Sequence, residues 1–202
     1  MTSFSILAVG ARNVCRSPLI EQMLREKLTS LHSVCVASAG TSSSPGEAME
    51  EQAATFSWKM GCDPSAQIAR QLTERELVRA DLVLAVSREH RHTVVGLAPQ
   101  VVRRTYTIRE FARLLEHASA SDLHEAAGHR LDDAAGRLAT LVRLAASRRG
   151  VEALPPLHLD ADDVLDPEHR GNAAHRKSFD QIVSAVDAIT ETFRSATSVT
   201  PT

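Results

Sequence analysis

Short apolar runs rich in strand formers alternate along this chain with segments whose apolar residues recur every three or four positions. Phe4 to Val9 (FSILAV) is the first run; it stops at Gly10, and a polar turn from Ala11 to Arg16 follows. Ser17-Pro18 reads as a helix start, with the serine able to cap free N–H groups and the proline placed where its missing N–H costs nothing. Leu19, Ile20, Met23, Leu24 and Leu28 continue that helix at the expected spacing. The scheme then repeats. The pattern predicts a strand at Ser33 to Ser38, a helix over Glu47 to Met60 stopped by Gly61, and a short helix over Leu72 to Arg79. A strand at Asp81 to Val86, a helix capped by Ser87 and running to Leu97, a fourth strand at Val101 to Thr105 and a helix over Ile108 to His117 come next.

The second half of the chain is helical. Ser121 to Arg149 carries a stripe of Leu123, Ala127, Leu131, Ala134, Leu138, Leu141 and Val142, which reads as packing on the chain's own core. Val151 to Pro167 reads as a loop, Asn172 to Phe193 as an amphipathic helix, and the tail from Ser195 as frayed. Strands alternating with helices predict an α/β fold, a parallel sheet covered on both faces. The expected organisation is one domain over residues 1–195, with an extended helical segment at about 116–160 and a flexible tail at 196–202.

Composition narrows the function classes. The 202 residues carry a net charge of −2, which gives no reason to expect nucleic acid or an anionic membrane as partner. No apolar stretch approaches the roughly 18 residues that a membrane span needs. Cys15, Cys35 and Cys62 form an odd, sparse set with no pairing pattern, which points to a reducing compartment. The residues ahead of Leu7 lack the basic start of a secretory leader. Together these readings make a cytoplasmic protein the expectation.

In open parallel sheets ligands bind beyond the carboxyl ends of the strands, and residues 10–17 lie at such an end. A tight loop running into a helix N-terminus turns its backbone N–H groups inward and makes an anion cradle. Arg16 adds a fork of donors matched to phosphate oxygens. Locally, this phosphate reading stands beside a plain strand-to-helix turn with a solvated arginine.

Val9-Gly10-Ala11-Arg12-Asn13-Val14-Cys15-Arg16-Ser17-Pro18 resembles the low-molecular-weight tyrosine phosphatase signature V-C-x-G-N-x-C-R-S-P. Ser38-Ala39-Gly40-Thr41, Ala69-Arg70-Gln71-Leu72, Ala80-Asp81-Leu82-Val83-Leu84 and Asp163-Val164-Leu165-Asp166-Pro167 resemble further segments of that family, in the same order. The resemblance implies a three-layer fold on a four-stranded parallel sheet. It also implies phosphate held by the loop of Gly10, Ala11, Arg12, Asn13, Val14, Cys15, Arg16 and Ser17, with Asn13 bracing the loop and Ser17 supporting it. Asp166 corresponds to the acid that protonates the leaving oxygen. The nucleophile's position is Gly10, which has no side chain, whereas covalent catalysis by this family's route needs a thiolate. Cys15 matches the second loop cysteine and reads as a small packing residue.

Two further departures bear on the ligand. Arg12 replaces a loop glycine, which would be strained if that position had positive φ; alternatively it points outward and adds positive potential. Aromatic residues that usually flank the site are absent, and Ser43, Glu168 and His169 stand where a ligand wall is expected, which leaves a phenyl ring little to stack on. Asp160, Asp162 and Asp163 read as a solvated acidic loop, and His169 and His175 lie near it. The histidines show no metal-ligand spacing, so neither a metal nor a cofactor is expected. Three readings remain: a degenerate phosphatase that binds phosphate or a phosphorylated small molecule or protein; an enzyme acting by water attack or phosphate elimination through Arg16 and Asp166; and a structural partner protein with an unused loop.

Overall fold

The computed structural model describes residues 3–116, 122, 134–149 and 160–198. Four parallel strands make the sheet: β1 (Phe4–Gly10), β2 (Val34–Gly40), β3 (Leu82–Ala85) and β4 (Thr105–Thr107), in the order β2-β1-β3-β4. β1 is central and pairs in register from Phe4↔Val34 to Gly10↔Gly40 on one side and from Ile6↔Leu82 to Val9↔Ala85 on the other. Alternation along β1 sends its side chains to two cores. Phe4, Ile6 and Ala8 join one, Leu7 and Val9 the other.

Among the described residues, seven α-helices cover the sheet: α1 (Arg16–Lys27), α2 (Glu51–Lys59), α3 (Glu74–Arg79), α4 (Arg88–Leu97), α5 (Ile108–Leu115), α6 (Ala134–Arg148) and α7 (Gly171–Ser198). The larger core takes residues from α1, α2, α5, α6 and α7; the smaller one takes Leu77 of α3 and Val94 of α4. The result is the three-layer α/β/α arrangement on a four-stranded parallel sheet. Phe193 of α7 stands edge-on to Phe4 of β1 and Phe111 of α5, at centroid distances of 6.2 and 6.3 Å. The last helix is thereby anchored across the sheet. Among the described residues no helix is long and apolar enough to cross a membrane.

Several boundaries differ from the sequence expectation. Val101 to Thr105 is not a strand: Pro99–Arg104 forms a 3-10 turn, and only Thr105–Thr107 pairs with β3. Pro99 starts that turn, and Val101 is buried from within it. The helix expected from Glu47 begins at Glu51, because Ala48 bridges Ile68 and the Ala69 N–H donates to the Glu47 carbonyl. Helix α7 continues past Ser195 to Ser198, so the chain is not frayed there. Of the long helix expected from Ser121, Ala134 onward is seen as α6, with Leu138, Leu141 and Ala145 fully buried in the larger core. The first half of that stripe and His117, His124 and His129 lie outside the described residues.

The carboxyl ends of β1 and β2 set the position of the loop that follows. A Cβ at Gly40 would stand 2.1 Å from Ser43 Oγ and 2.2 Å from the Ala11 carbonyl oxygen. Only a residue without a side chain lets the two chains pass this closely. Gly40→Ala is expected to cost about 1–3 kcal/mol in urea unfolding, as for other overpacked sites, because the neighbour that must move is backbone.

Candidate functional site

Residues 10–17 fold back between the end of β1 and the start of α1, and their carbonyls are turned outward. Gly10 O accepts from Thr41 N at 2.9 Å, Ala11 O from Ser42 N at 3.0 Å and Val14 O from Glu50 N at 2.8 Å. Arg12 O accepts from the Ser43 hydroxyl at 2.9 Å. The N–H groups of Ala11 to Cys15 have no protein acceptor among the described residues. Such a run of free donors is an anion nest, reinforced by the α1 N-terminus behind it.

Asn13 holds the loop in this shape. It is buried and has φ 61°, a left-handed conformation that asparagine tolerates better than most residues. Its Nδ2 donates to Ser17 Oγ at 3.1 Å and to Ser38 Oγ at 2.8 Å, and its Oδ1 accepts from Arg70 N at 3.0 Å. Arg12 does not take the positive φ that a glycine there would serve, so the strain considered from sequence does not arise. Instead its half-exposed guanidinium reaches over the rim to Glu47 at 2.6 Å and to Glu168 at 3.5 Å. Ser17 is not a cap. Helix α1 begins at Arg16 with Cys15 in the cap position, and the buried Ser17 hydroxyl is used by Asn13.

The side chains of Arg16 and Asp166 meet at the mouth. Arg16 Nη2 lies 2.7 Å from Asp166 Oδ2, and Nη1 donates to Val164 O at 3.4 Å. Asp166 Oδ1 accepts from Glu168 N at 3.1 Å. The late loop is tied down by the acidic residues that precede it, which corrects the reading of a solvated acidic run. Asp162 pairs with Arg113 at 3.0 Å, and Asp163 accepts from Arg88 N at 2.8 Å at the start of α4. Val164 N donates to Val86 O at 2.9 Å, beyond the end of β3. Asp160, unlike the other two, is exposed.

These parts enclose a cavity of about 260 Å³ lined by Gly10 to Ser17, Glu50, Asp166, Pro167, Glu168, His169 and His175. Glu168 and His169 thus face it. Ser43 does not: its hydroxyl is spent on the outer side of the loop, so it buttresses the cradle rather than walling a ligand. Gly10 leaves little spare room, since a Cβ there would sit 3.0 Å from Ser17 Oγ and 3.4 Å from Ser17 Cβ. Burial pushes the Cys15 thiol well above its usual range, and the neighbouring Glu50 carboxylate adds to the effect. A neutral thiol is a weak nucleophile.

Sequence reasoning gave no role to Glu50 and only placed His175 near the late loop. Glu50 enters because its N–H is held by Val14 O and its side chain by His175 Nε2 at 3.0 Å. His175 enters because α7 begins at Gly171, which puts its ring over the loop, one-tenth exposed. A residue just ahead of one helix and a residue in the second turn of another have no shared spacing by which sequence could have joined them.

Comparison with known proteins places this geometry. Residues 5–128 match the model of the family described as low molecular weight phosphotyrosine protein phosphatase. The low molecular weight protein-tyrosine-phosphatase Etp of Escherichia coli (strain K12) is 33% identical over 118 residues, covering 58% of this chain and 76% of that protein. The probable low molecular weight protein-tyrosine-phosphatase EpsP of Ralstonia solanacearum is 28% identical over 152 residues, covering 75% of this chain and 94% of that protein. Among solved structures, the low molecular weight protein tyrosine phosphatase from T. tengcongensis superposes with a TM-score of 0.65 at 23% identity, covering 94% of this chain and 99% of that one. With more than half of its length matched by the family model and its sheet, loop and late aspartate arranged as described, the chain belongs to the low molecular weight phosphotyrosine protein phosphatase family.

Proposed function

We propose that this family member binds phosphate or a phosphorylated ligand in the 10–17 loop without forming a phosphocysteine. The observation that carries the reading is the glycine at the start of an otherwise complete cradle. Free N–H groups and the Arg16 guanidinium converge on one cavity, while residue 10 offers no nucleophile. Cys15 does not substitute for it: the thiol is held neutral by burial and by Glu50. Replacing a thiolate by hydrogen also removes a negative charge that would face a phosphate dianion, which favours binding. Family membership makes phosphorylated compounds the ligand class. Glu168 and His169 in place of an aromatic wall make phosphotyrosine a poor fit.

A second reading rests on Asp166. Its carboxylate is half-exposed at the mouth of the cavity and 2.7 Å from Arg16. An acid/base so placed can serve direct attack by water, or elimination of phosphate, with the loop stabilising the departing anion. Turnover separates the two readings, since a binding protein leaves its ligand unchanged.

Titration calorimetry with inorganic phosphate checks the binding. Arg16→Ala is expected to weaken it about tenfold to a hundredfold, the loss of a charge-assisted hydrogen bond of ~1.5–3 kcal/mol. Absence of any Arg16-dependent heat at millimolar phosphate would refute the cradle. Asp166→Asn is expected to tighten phosphate by up to about fivefold, because the half-exposed carboxylate that competes for the Arg16 fork is screened by solvent and worth about 1 kcal/mol. Weaker binding in that variant would show that Asp166 holds the ligand instead.

Hydrolysis of p-nitrophenyl phosphate checks the chemistry between about pH 5 and 7, where a general acid and a dianion coexist. The unmodified chain is expected to be inert and Gly10→Cys to gain turnover that Arg16→Ala abolishes. Arg16-dependent turnover by the unmodified chain would replace the binding reading with the water-attack one.

A further inference from the structure

One group of side chains in the cavity is used by neither reading. Cys15 precedes α1, Glu50 precedes α2 and His175 lies at the start of the second turn of α7. Far apart in sequence, they bring Sγ, a carboxylate oxygen and a ring nitrogen within 4.8 Å of one another. His175 Nδ1 lies 3.1 Å from Gly171 O, and His175 Nε2 lies 3.0 Å from Glu50 Oε1. A carbonyl oxygen can only accept, so Nδ1 carries the ring proton. In the neutral imidazole the Nε2 lone pair then points at a carboxylate oxygen, and two acceptors face each other. A proton on Nε2 makes this an ordinary ion pair with Glu50, and a cation in the proton's place would be held by the same two atoms.

We propose that Cys15, Glu50 and His175 form a three-donor site for a divalent cation of the zinc class, with its fourth position open to the phosphate-loop cavity. Sulfur, imidazole nitrogen and carboxylate oxygen together suit a borderline-soft ion better than magnesium or calcium. Zinc–ligand distances of about 2.0–2.3 Å in a tetrahedron put neighbouring donors roughly 3.3–3.6 Å apart. The His175–Glu50 separation is already close to this, and the widest pair must close by about 1 Å. The Nδ1 contact to a backbone carbonyl is the outer partner that ligating histidines commonly have; it fixes the tautomer and aims Nε2. Phe179, edge-on to the His175 ring at 5.8 Å, helps to hold its orientation.

Charge supports the same occupant. The Cys15 sulfur lies within 4.8 Å of the Glu50 carboxylate, so an ion between them meets two acidic ligands. Coordination forms the metal–sulfur bond and releases the thiol proton to solvent. Thiolate and carboxylate together balance the two positive charges of the ion. Because the three donors line the same cavity as residues 10–17, the open position accepts a water or an oxygen of a bound phosphate.

The test uses the reduced full chain with cobalt or zinc alone and no phosphate, so it can fail or succeed independently of the phosphate proposal. Cobalt is expected to bind one ion per chain with a thiolate-to-metal charge-transfer band, bleached by zinc. The band should vanish in Cys15→Ser and persist in Cys35→Ser, which removes the exposed thiol. His175→Ala and Glu50→Gln should each weaken the metal at least about tenfold. Zinc should raise the melting temperature of the unmodified chain and leave that of Cys15→Ser unmoved, with Cys15→Ser retaining the native far-ultraviolet spectrum. A chain that gives no charge-transfer band at any excess of cobalt overturns the site. So does a band that survives Cys15→Ser, or metal affinity unchanged in both His175→Ala and Glu50→Gln.

Discussion

The site depends on one buried asparagine. Asn13 takes a left-handed backbone conformation in the middle of the loop, and that reversal is what turns the carbonyls of Gly10, Ala11, Arg12 and Val14 outward and leaves the N–H groups inside. The side chain holds the reversal in place through three bonds, to Ser17, Ser38 and the Arg70 backbone. Each partner belongs to a different element, so the loop is keyed at once to α1, to β2 and to the segment after α2. The network continues inward: Ser38 Oγ donates to the buried Glu21, which also pairs with Arg25. A buried polar chain of this kind is stable only when each member is satisfied. That condition makes the loop geometry a property of the core rather than of the loop alone.

The outward carbonyls complete the argument. They are taken by the backbone of the β2 exit at Thr41 and Ser42, by the Ser43 hydroxyl and by the Glu50 N–H. The β2 exit can approach so closely because Gly40 has no side chain to collide with Ala11. Cradle and sheet end are therefore one construction, and it is formed with glycine at position 10. A Cβ at Gly10 would stand 3.0 Å from Ser17 Oγ, a side-chain atom, so a residue with a Cβ there requires Ser17 to shift by a few tenths of an ångström.

Much of this was readable before any coordinates. Strands β1, β2 and β3 and the helices after them follow from apolar runs and helical spacing, because each buries one face in a way that a one-dimensional pattern records. The loop and Asp166 were readable through motif order. What was not readable depended on partners distant in sequence. Val101 and Val102 look like strand residues, yet Pro99 sets a 3-10 turn there and only Thr105–Thr107 finds β3. Glu47 to Glu50 look helical, but a bridge to Ile68 holds them extended. Ser43 looked like a ligand contact and is a buttress. Asp162 and Asp163 looked solvated and are clamps on Arg113 and the start of α4.

Those clamps matter for the chemistry, because they fix how far Asp166 can travel. Val164 is bonded to the residue after β3 and Leu165 N donates to Gln181 of α7, so the chain around Asp166 is held on both sides of the sheet end. The Arg16–Asp166 pair then acts as a closed latch over a cradle of free donors. On the proposed reading, an incoming phosphate would have to displace a carboxylate from the arginine fork, and its own charge would be resisted by Glu50, Glu168 and Asp166 around the rim. The cationic side is carried by Arg16 and by Arg12, which is itself shared between two carboxylates. In a site so balanced, glycine rather than a thiolate at position 10 would, on the proposed reading, shift the sum toward anion binding. A cation on Cys15, Glu50 and His175 would shift it further in the same direction, by neutralising the one of these three rim carboxylates that has no arginine ion pair among the described residues.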